Sequence, residues 1–202
     1  MRRQTVSAMA AAVAVMLLCL MMGQPVAQAE PQANAGLIIG GAAAGTDGGF
    51  FDRPEFHLGL RGDVIFGRTN PWSFGVGPYA EVGTFAFDEL SVGTGASVHL
   101  PIHDSLPFVL SAGPFIRYGD DDFGVEPGIS TSLFWGSRSY NFHESYIMAV
   151  GISVGYRATF TESKESALVI AAQLDLALLG LPVVALVNLI RGPTGDAALI
   201  ED

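Results

Sequence analysis

The sequence predicts an all-β fold, an eight-stranded antiparallel up-and-down β-barrel, and three observations predict it. Apolar and polar residues alternate with a period of two through one segment after another. Turn-forming residues interrupt the chain at short intervals between those segments. Half of all residues are hydrophobic and the mean hydropathy is +0.40. Beyond the N-terminal stretch, however, no apolar run reaches the roughly 18 residues of a membrane helix, so the apolarity is organised in strands.

The first element is not a strand. Met1-Arg2-Arg3 precedes an apolar core at 8–22, which is followed by Ala27-Gln28-Ala29. A charged start, an apolar core and a small-x-small site in that order make a secretory signal peptide. The core is also shorter than the roughly 20 residues that a spanning helix needs. Cleavage is expected after Ala29, dividing the chain into a signal peptide (1–29), a barrel domain (30–181) and a C-terminal segment (182–202). Cys19 lies in the apolar core behind Leu17-Leu18, where a lipoprotein signal needs a small residue, so lipidation is not expected and the mature chain has no thiol. The formal charge of −10 becomes −12 once Arg2 and Arg3 leave with the signal peptide. Such an acidic chain lacks the basic footprint of a nucleic-acid binder, and no cofactor motif is present.

A less regular first strand covers 36–44. The second begins at Glu55; in Phe56 to Phe66 the even positions are mostly large and apolar, while the odd ones carry His57, Arg61 and Asp63. In the third, Trp72, Phe74, Val76, Ala80 and Val82 alternate with Ser73, Gly75, Gly77, Tyr79, Glu81 and Gly83. The fourth, 90–102, sets Val92, Ala96, Val98 and Leu100 against Ser91, Gly93, Gly95, Ser97 and His99. Four more follow at 106–118, 123–135, 146–160 and 168–178. Their polar faces hold Ser111, Gly113 and Arg117, then Glu126, Gly128, Ser130 and Ser132, then Gly151, Ser153, Gly155 and Arg157, then Gln173 and Asp175. Eight is an even number, so the last strand of an antiparallel array can pair with the first and leave no open edge.

An internal repeat supports the hairpin array. Gly77-Pro78-Tyr79-Ala80-Glu81-Val82-Gly83 matches Gly113-Pro114-Phe115-Ile116-Arg117-Tyr118-Gly119 in the pattern Gly-Pro-aromatic-x-charged-x-Gly. Proline cannot donate to a ladder, so Pro78, Pro114 and Pro127 are read as sites of strand bending.

Alternation alone does not say which face meets solvent, since soluble and membrane barrels differ by exchanging the two. The composition of the polar face favours the inside: it is mostly Gly and Ser with a few ions, which suits the interior of a narrow cylinder. The other face carries Trp72, Phe74, Tyr118, Phe123, Trp135, Tyr146, Tyr156 and Phe160 toward strand ends, as an aromatic girdle would. In these features, over residues 36–180, the chain resembles the small eight-stranded outer-membrane barrels of the OmpA and OmpX type. That resemblance implies a transmembrane barrel in a bacterial outer membrane, with outer-membrane lipids and the assembly machinery as partners. The chain departs from the family after Leu181. Family members finish on a strand ending in an aromatic residue, whereas here Pro182 is expected to start a short helix before the acidic tail Glu201-Asp202.

The expected site is a charge network in the lumen, formed by Arg61, Asp63, Glu81, Arg117, Glu126, Arg157 and Asp175, because charges taken from water must be paired. Four other patterns carry weaker chemistry. Ser97 and His99 share a face, as a nucleophile and base would in an outer-membrane lipid hydrolase. Asp120-Asp121-Asp122 is an acidic hairpin tip, read as solvated rather than as a calcium site, and His143 has no spaced partner for a metal. Arg61-Gly62-Asp63 spells an adhesion tripeptide but lies within a strand. The expected role is therefore structural or interaction-based and not enzymatic. The rivals are the lipid hydrolase and a soluble periplasmic barrel that carries an apolar ligand on an inward greasy face.

Overall fold

A computed structural model of the chain describes residues 31–46, 52–103, 106–119, 124–138, 149–161 and 163–176. The signal peptide with Cys19, the tip Asp120-Asp121-Asp122, Phe123, His143, Tyr146 and the C-terminal segment from Pro182 lie outside the described residues.

Eight strands follow one another as β1 (Gln32–Gly45), β2 (Arg53–Ile65), β3 (Gly75–Phe85), β4 (Leu90–Leu100), β5 (Phe108–Tyr118), β6 (Glu126–Ser137), β7 (Val150–Thr159) and β8 (Ser166–Asp175). Each pairs antiparallel with the next, and β8 pairs with β1 from Gly36↔Asp175 to Gly45↔Ser166, which closes the sheet into a barrel. Closure gives every strand two neighbours, so no row of backbone N–H and C=O groups is left as an edge.

The expected strand centres hold but several ends move. β1 starts four residues before the expected 36, because Gln32, Ala33, Asn34 and Ala35 find partners in Ile65, Val64, Asp63 and Gly62. β3 begins at Gly75 rather than Trp72. The preceding residues fold into a turn in which Asn70 accepts the N–H of Trp72 and Ser73 accepts the N–H groups of Thr69 and Asn70. β6 begins at Glu126, and β8 occupies 166–175 instead of 168–178.

The prolines interrupt two ladders. The pairing of β4 with β5 passes from Gly93↔Phe115 to Ala96↔Ala112 and skips Pro114. That of β2 with β3 ends at Asp63↔Tyr79 and resumes at the bridge Phe66↔Val76, on the far side of Pro78. At the first break, Gly95 and Gly113 let the backbones approach: a methyl group on Gly95 would lie 2.2 Å from the Ala112 carbonyl oxygen, and one on Gly113 2.0 Å from that of Thr94.

The two faces of the sheet lie as the polar-face composition implies. His57, Arg61, Asp63, Glu81, Ser97, His99, Ser111, Arg117, Glu126 and Arg157 point into the barrel, whereas Leu60, Val92, Ile116, Ile129, Val154 and Ile170 point out. One sector of the interior departs from the expected small and charged lining. Ile38, Ala42 and Ala44 of β1 pack with Phe85, Ala167, Val169 and Ala171 in a buried apolar cluster. The small side chains of β1 and β8 let Phe85 reach across, so this side of the lumen is sealed by apolar contact instead of ions.

The outside is zoned along the barrel axis. Among the described residues, the exposed aromatics at one end are Phe56, Phe87, Tyr118, Tyr156 and Phe160, and at the other Phe66, Trp72, Phe74 and Trp135. Exposed aliphatic residues, among them Leu60, Val82, Ile129, Leu133, Val154 and Ile170, occupy the zone between them.

Candidate functional site

The strand period turns every second residue inward, and the charged ones among them, on β2, β3, β5, β6 and β7, meet in two groups rather than one ring. In the middle of the barrel, Arg61 of β2 reaches Asp63 at 3.5 Å, Glu81 at 3.3 Å, Ser97 at 3.0 Å and Ser111 at 2.5 Å. Its guanidinium also stacks over the ring of Tyr79 at 4.1 Å, an attraction that strengthens out of water. Arg157 of β7 donates to Glu81 at 2.6 Å and to Ser91 at 3.1 Å. It lies 5.0 Å from the ring of Phe85 and 5.5 Å from that of Phe115. Glu81 is thus shared by two guanidinium groups from opposite sides, which offsets the cost of burying it.

The second group closes the barrel end that holds the turns joining β1 to β2, β3 to β4, β5 to β6 and β7 to β8. Arg117 of β5 pairs with Glu126 of β6, with Glu89 at 3.0 Å and with Glu165 at 2.5 Å. Arg53 pairs with Glu165 at 2.9 Å and with Glu55. Ser163 donates to Glu126 at 2.9 Å. Burial pushes the Glu89 carboxyl up and the nearby Glu165 carboxylate adds to the rise, while Arg117 pulls the other way.

Of the seven expected network residues, Arg61, Asp63, Glu81 and Arg157 belong to the middle group and Arg117 and Glu126 to the end group. Asp175 lies at the opposite end of the barrel, where its carboxylate accepts the backbone N–H of Ala149 at 3.0 Å; the β8 register, not its charge, sets that position. The residues missed are Arg53, Glu55, Glu89, Arg138 and Glu165, which lie near or beyond strand ends, where alternation gives little facing. Arg138 follows β6 directly, donates to Asp63 at 2.9 Å and stacks 3.8 Å from the Phe134 ring.

A cavity of about 30 Å³ remains among Arg61, Tyr79, Glu81, Ser130 and Arg157, and one of about 10 Å³ beneath Glu89, Arg117 and Glu165. A water needs roughly 10–15 Å³ of such space, so both are water-sized. Ser97 and His99 are fully buried in this filled lumen. The Ser97 hydroxyl lies 2.9 Å from that of Ser111 and accepts from Arg61. The Arg61-Gly62-Asp63 tripeptide is likewise inside the wall, with both ions buried.

No family model and no curated sequence matches the chain. Among solved structures, it is similar to the crystal structure of Ail, the attachment invasion locus protein of Yersinia pestis, in complex with a heparin analogue, sucrose octasulfate. The identity is 12%, covering 73% of this chain and 99% of that one, with a TM-score of 0.41. It is also similar to a de novo designed transmembrane β-barrel, at 10% identity over 73% of this chain and 98% of that one, with a TM-score of 0.37.

Proposed function

We propose that the chain is an exported protein of a bacterial outer membrane, a transmembrane barrel of structural or interaction role whose lumen is filled by small and paired charged residues. The observation that carries this reading is the outer surface. Two sets of exposed aromatics bracket an aliphatic zone, as the interfacial girdles and apolar band of a membrane barrel do. In water such a continuous apolar exterior would be an aggregation hazard; in a bilayer it is the favourable surface. Outer-membrane lipids are then its first partners, reached through the assembly machinery after cleavage at Ala29.

The lumen supports the structural or interaction role over a pore. Ion pairs cross its middle, and the two cavities among Arg61, Glu81 and Arg157 and beneath Glu89 and Arg117 are water-sized. The soluble-carrier reading needs an apolar interior large enough for a ligand, whereas the interior holds Arg61, Glu81, Arg117 and Arg157. The hydrolase reading needs Ser97 and His99 within reach of lipid, and both face inward.

Fractionation of expressing cells tests the proposal, with extracted material compared on gels unheated and boiled. A band in the outer-membrane fraction that changes mobility on boiling is expected. Recovery in the soluble periplasmic fraction would reject the reading.

A further inference from the structure

We propose that the turn joining β7 to β8 is a cap held by a charge latch, closing one mouth of the barrel by reaching across it to the far wall. Hairpin turns of a barrel commonly continue the wall outward; this one folds in. Ser163 is 3% exposed and Glu165 6%, although both lie between strands, where solvent would be the default. The turn holds its shape through Thr159, whose N–H donates to the Glu165 carbonyl at 2.9 Å and whose hydroxyl accepts the Glu165 N–H at 2.9 Å.

Its reach is set by its partners. Glu165 precedes β8, whose neighbours are β7 and β1, yet it binds Arg117 of β5, three strands away, and Arg53 of β2, two strands away in the other direction. Ser163 adds bonds to Glu126 of β6 and to Arg117. Among the described residues, the groups facing the turn are Arg53 and Glu55 on β2, Glu89 between β3 and β4, Arg117 on β5, Glu126 on β6 and Arg157 below it on β7. Lys164, on the turn itself, faces outward. One carboxylate, Glu165, therefore joins guanidinium groups from two walls, and these charge-assisted bonds are the strongest available to hold a short segment in place. The inference does not depend on which solvent surrounds the barrel.

Ala167 reports the state of the cap. It is 2% exposed and lines the small cavity under the turn together with Glu89, Arg117 and Glu165. The test uses the full chain folded in detergent with Cys19→Ser, carrying either Ala167→Cys beneath the cap or Lys164→Cys on its outer side. Each is reacted with a water-soluble cationic thiol reagent. Ala167→Cys is expected to react far more slowly than Lys164→Cys. Adding Glu165→Gln is expected to speed its reaction about tenfold or more, since closed-state bonds set the opening equilibrium that labelling reads, while leaving Lys164→Cys unchanged. Arg53→Gln removes one arm of the latch from a half-exposed side chain and is expected to give a smaller rise; it decides the matter if Glu165→Gln loses the folded, heat-modifiable band. Equal labelling at the two positions would overturn the cap, and unchanged labelling of Ala167→Cys in a folded latch variant would overturn the latch.

Discussion

Arg157 on β7 and Glu81 on β3 stand on opposite walls of the barrel, four strands apart in either direction, and their side chains meet at 2.6 Å. Arg61 makes a second crossing, from β2 to Ser132 of β6 at 3.4 Å. An eight-stranded barrel is narrow enough for one arginine to span it, so the charges do more than pair with their neighbours. They tie the walls together.

This crossing makes Arg157 and Glu81 energetically dependent on each other. Arg157→Met leaves the Glu81 carboxylate buried with Arg61 as its remaining guanidinium partner among the described residues, and breaking such a pair from one side costs about 3–5 kcal/mol. The double variant Arg157→Met with Glu81→Met removes the orphaned charge and is expected to recover most of the loss. Urea midpoints of the refolded barrel, read from the unheated gel band, check both; equal stability of single and double variants would contradict the dependence.

The β4–β5 seam is expected to tolerate no added methyl group. A side chain on Gly113 would press on the Thr94 carbonyl at 2.0 Å, and overpacking of this kind costs about 1–3 kcal/mol. Gly113→Ala should therefore lower the urea midpoint. Gly41→Ala should not, because a methyl group there meets nothing nearer than 3.7 Å.

Glu89 carries a pH dependence whose sign follows from its raised pKa. A carboxyl held above its unfolded value favours folding while protonated, so its contribution is present below the ordinary carboxylate range and is lost as pH rises through the folded value. Stability of the barrel end should decline across that window. Glu89→Gln, which keeps a hydrogen-bonding oxygen for Arg117, should flatten the decline when heat-shift midpoints are measured against pH. An unaltered slope would remove Glu89 as its cause.

On the outside, Val154 lies in the aliphatic zone, paired with Leu133 on β6 and Ile170 on β8. Val154→Arg should cost about 2–4 kcal/mol in a bilayer, the range for a cation at the midplane of a membrane barrel, and should slow folding into lipid vesicles. A soluble barrel would accept the same arginine on its surface with little effect.

The strand period made most of this readable in the sequence. Every second residue from His57 to Asp63 faces the lumen, and so do both members of the pairs Tyr79 with Glu81 and Phe115 with Arg117. The internal repeat therefore placed an aromatic and a charge on one inward face, which is how Arg61 comes to stack on Tyr79. Readability ends where the period does. Glu89 and Glu165 sit in turns, and whether a turn folds in or out depends on distant partners such as Arg117 and Arg53, which no local pattern names. The apolar seal around Phe85 was missed for a related reason. The less regular β1 gives no facing of its own, and only the closing register Gly41↔Ile170 and Ala42↔Val169 brings its small residues against β8.

The most direct test of the outward apolar face uses the chain's two tryptophans, Trp72 and Trp135, which are 61% and 48% exposed. The protein, and a Trp72→Phe variant that isolates Trp135, would be folded into vesicles of ordinary and of brominated phosphatidylcholine and their fluorescence compared. Strong quenching by the brominated chains, with little quenching by aqueous iodide, is the expected result and puts this face in lipid. Fluorescence that ignores the brominated lipid and falls with iodide would contradict a membrane barrel.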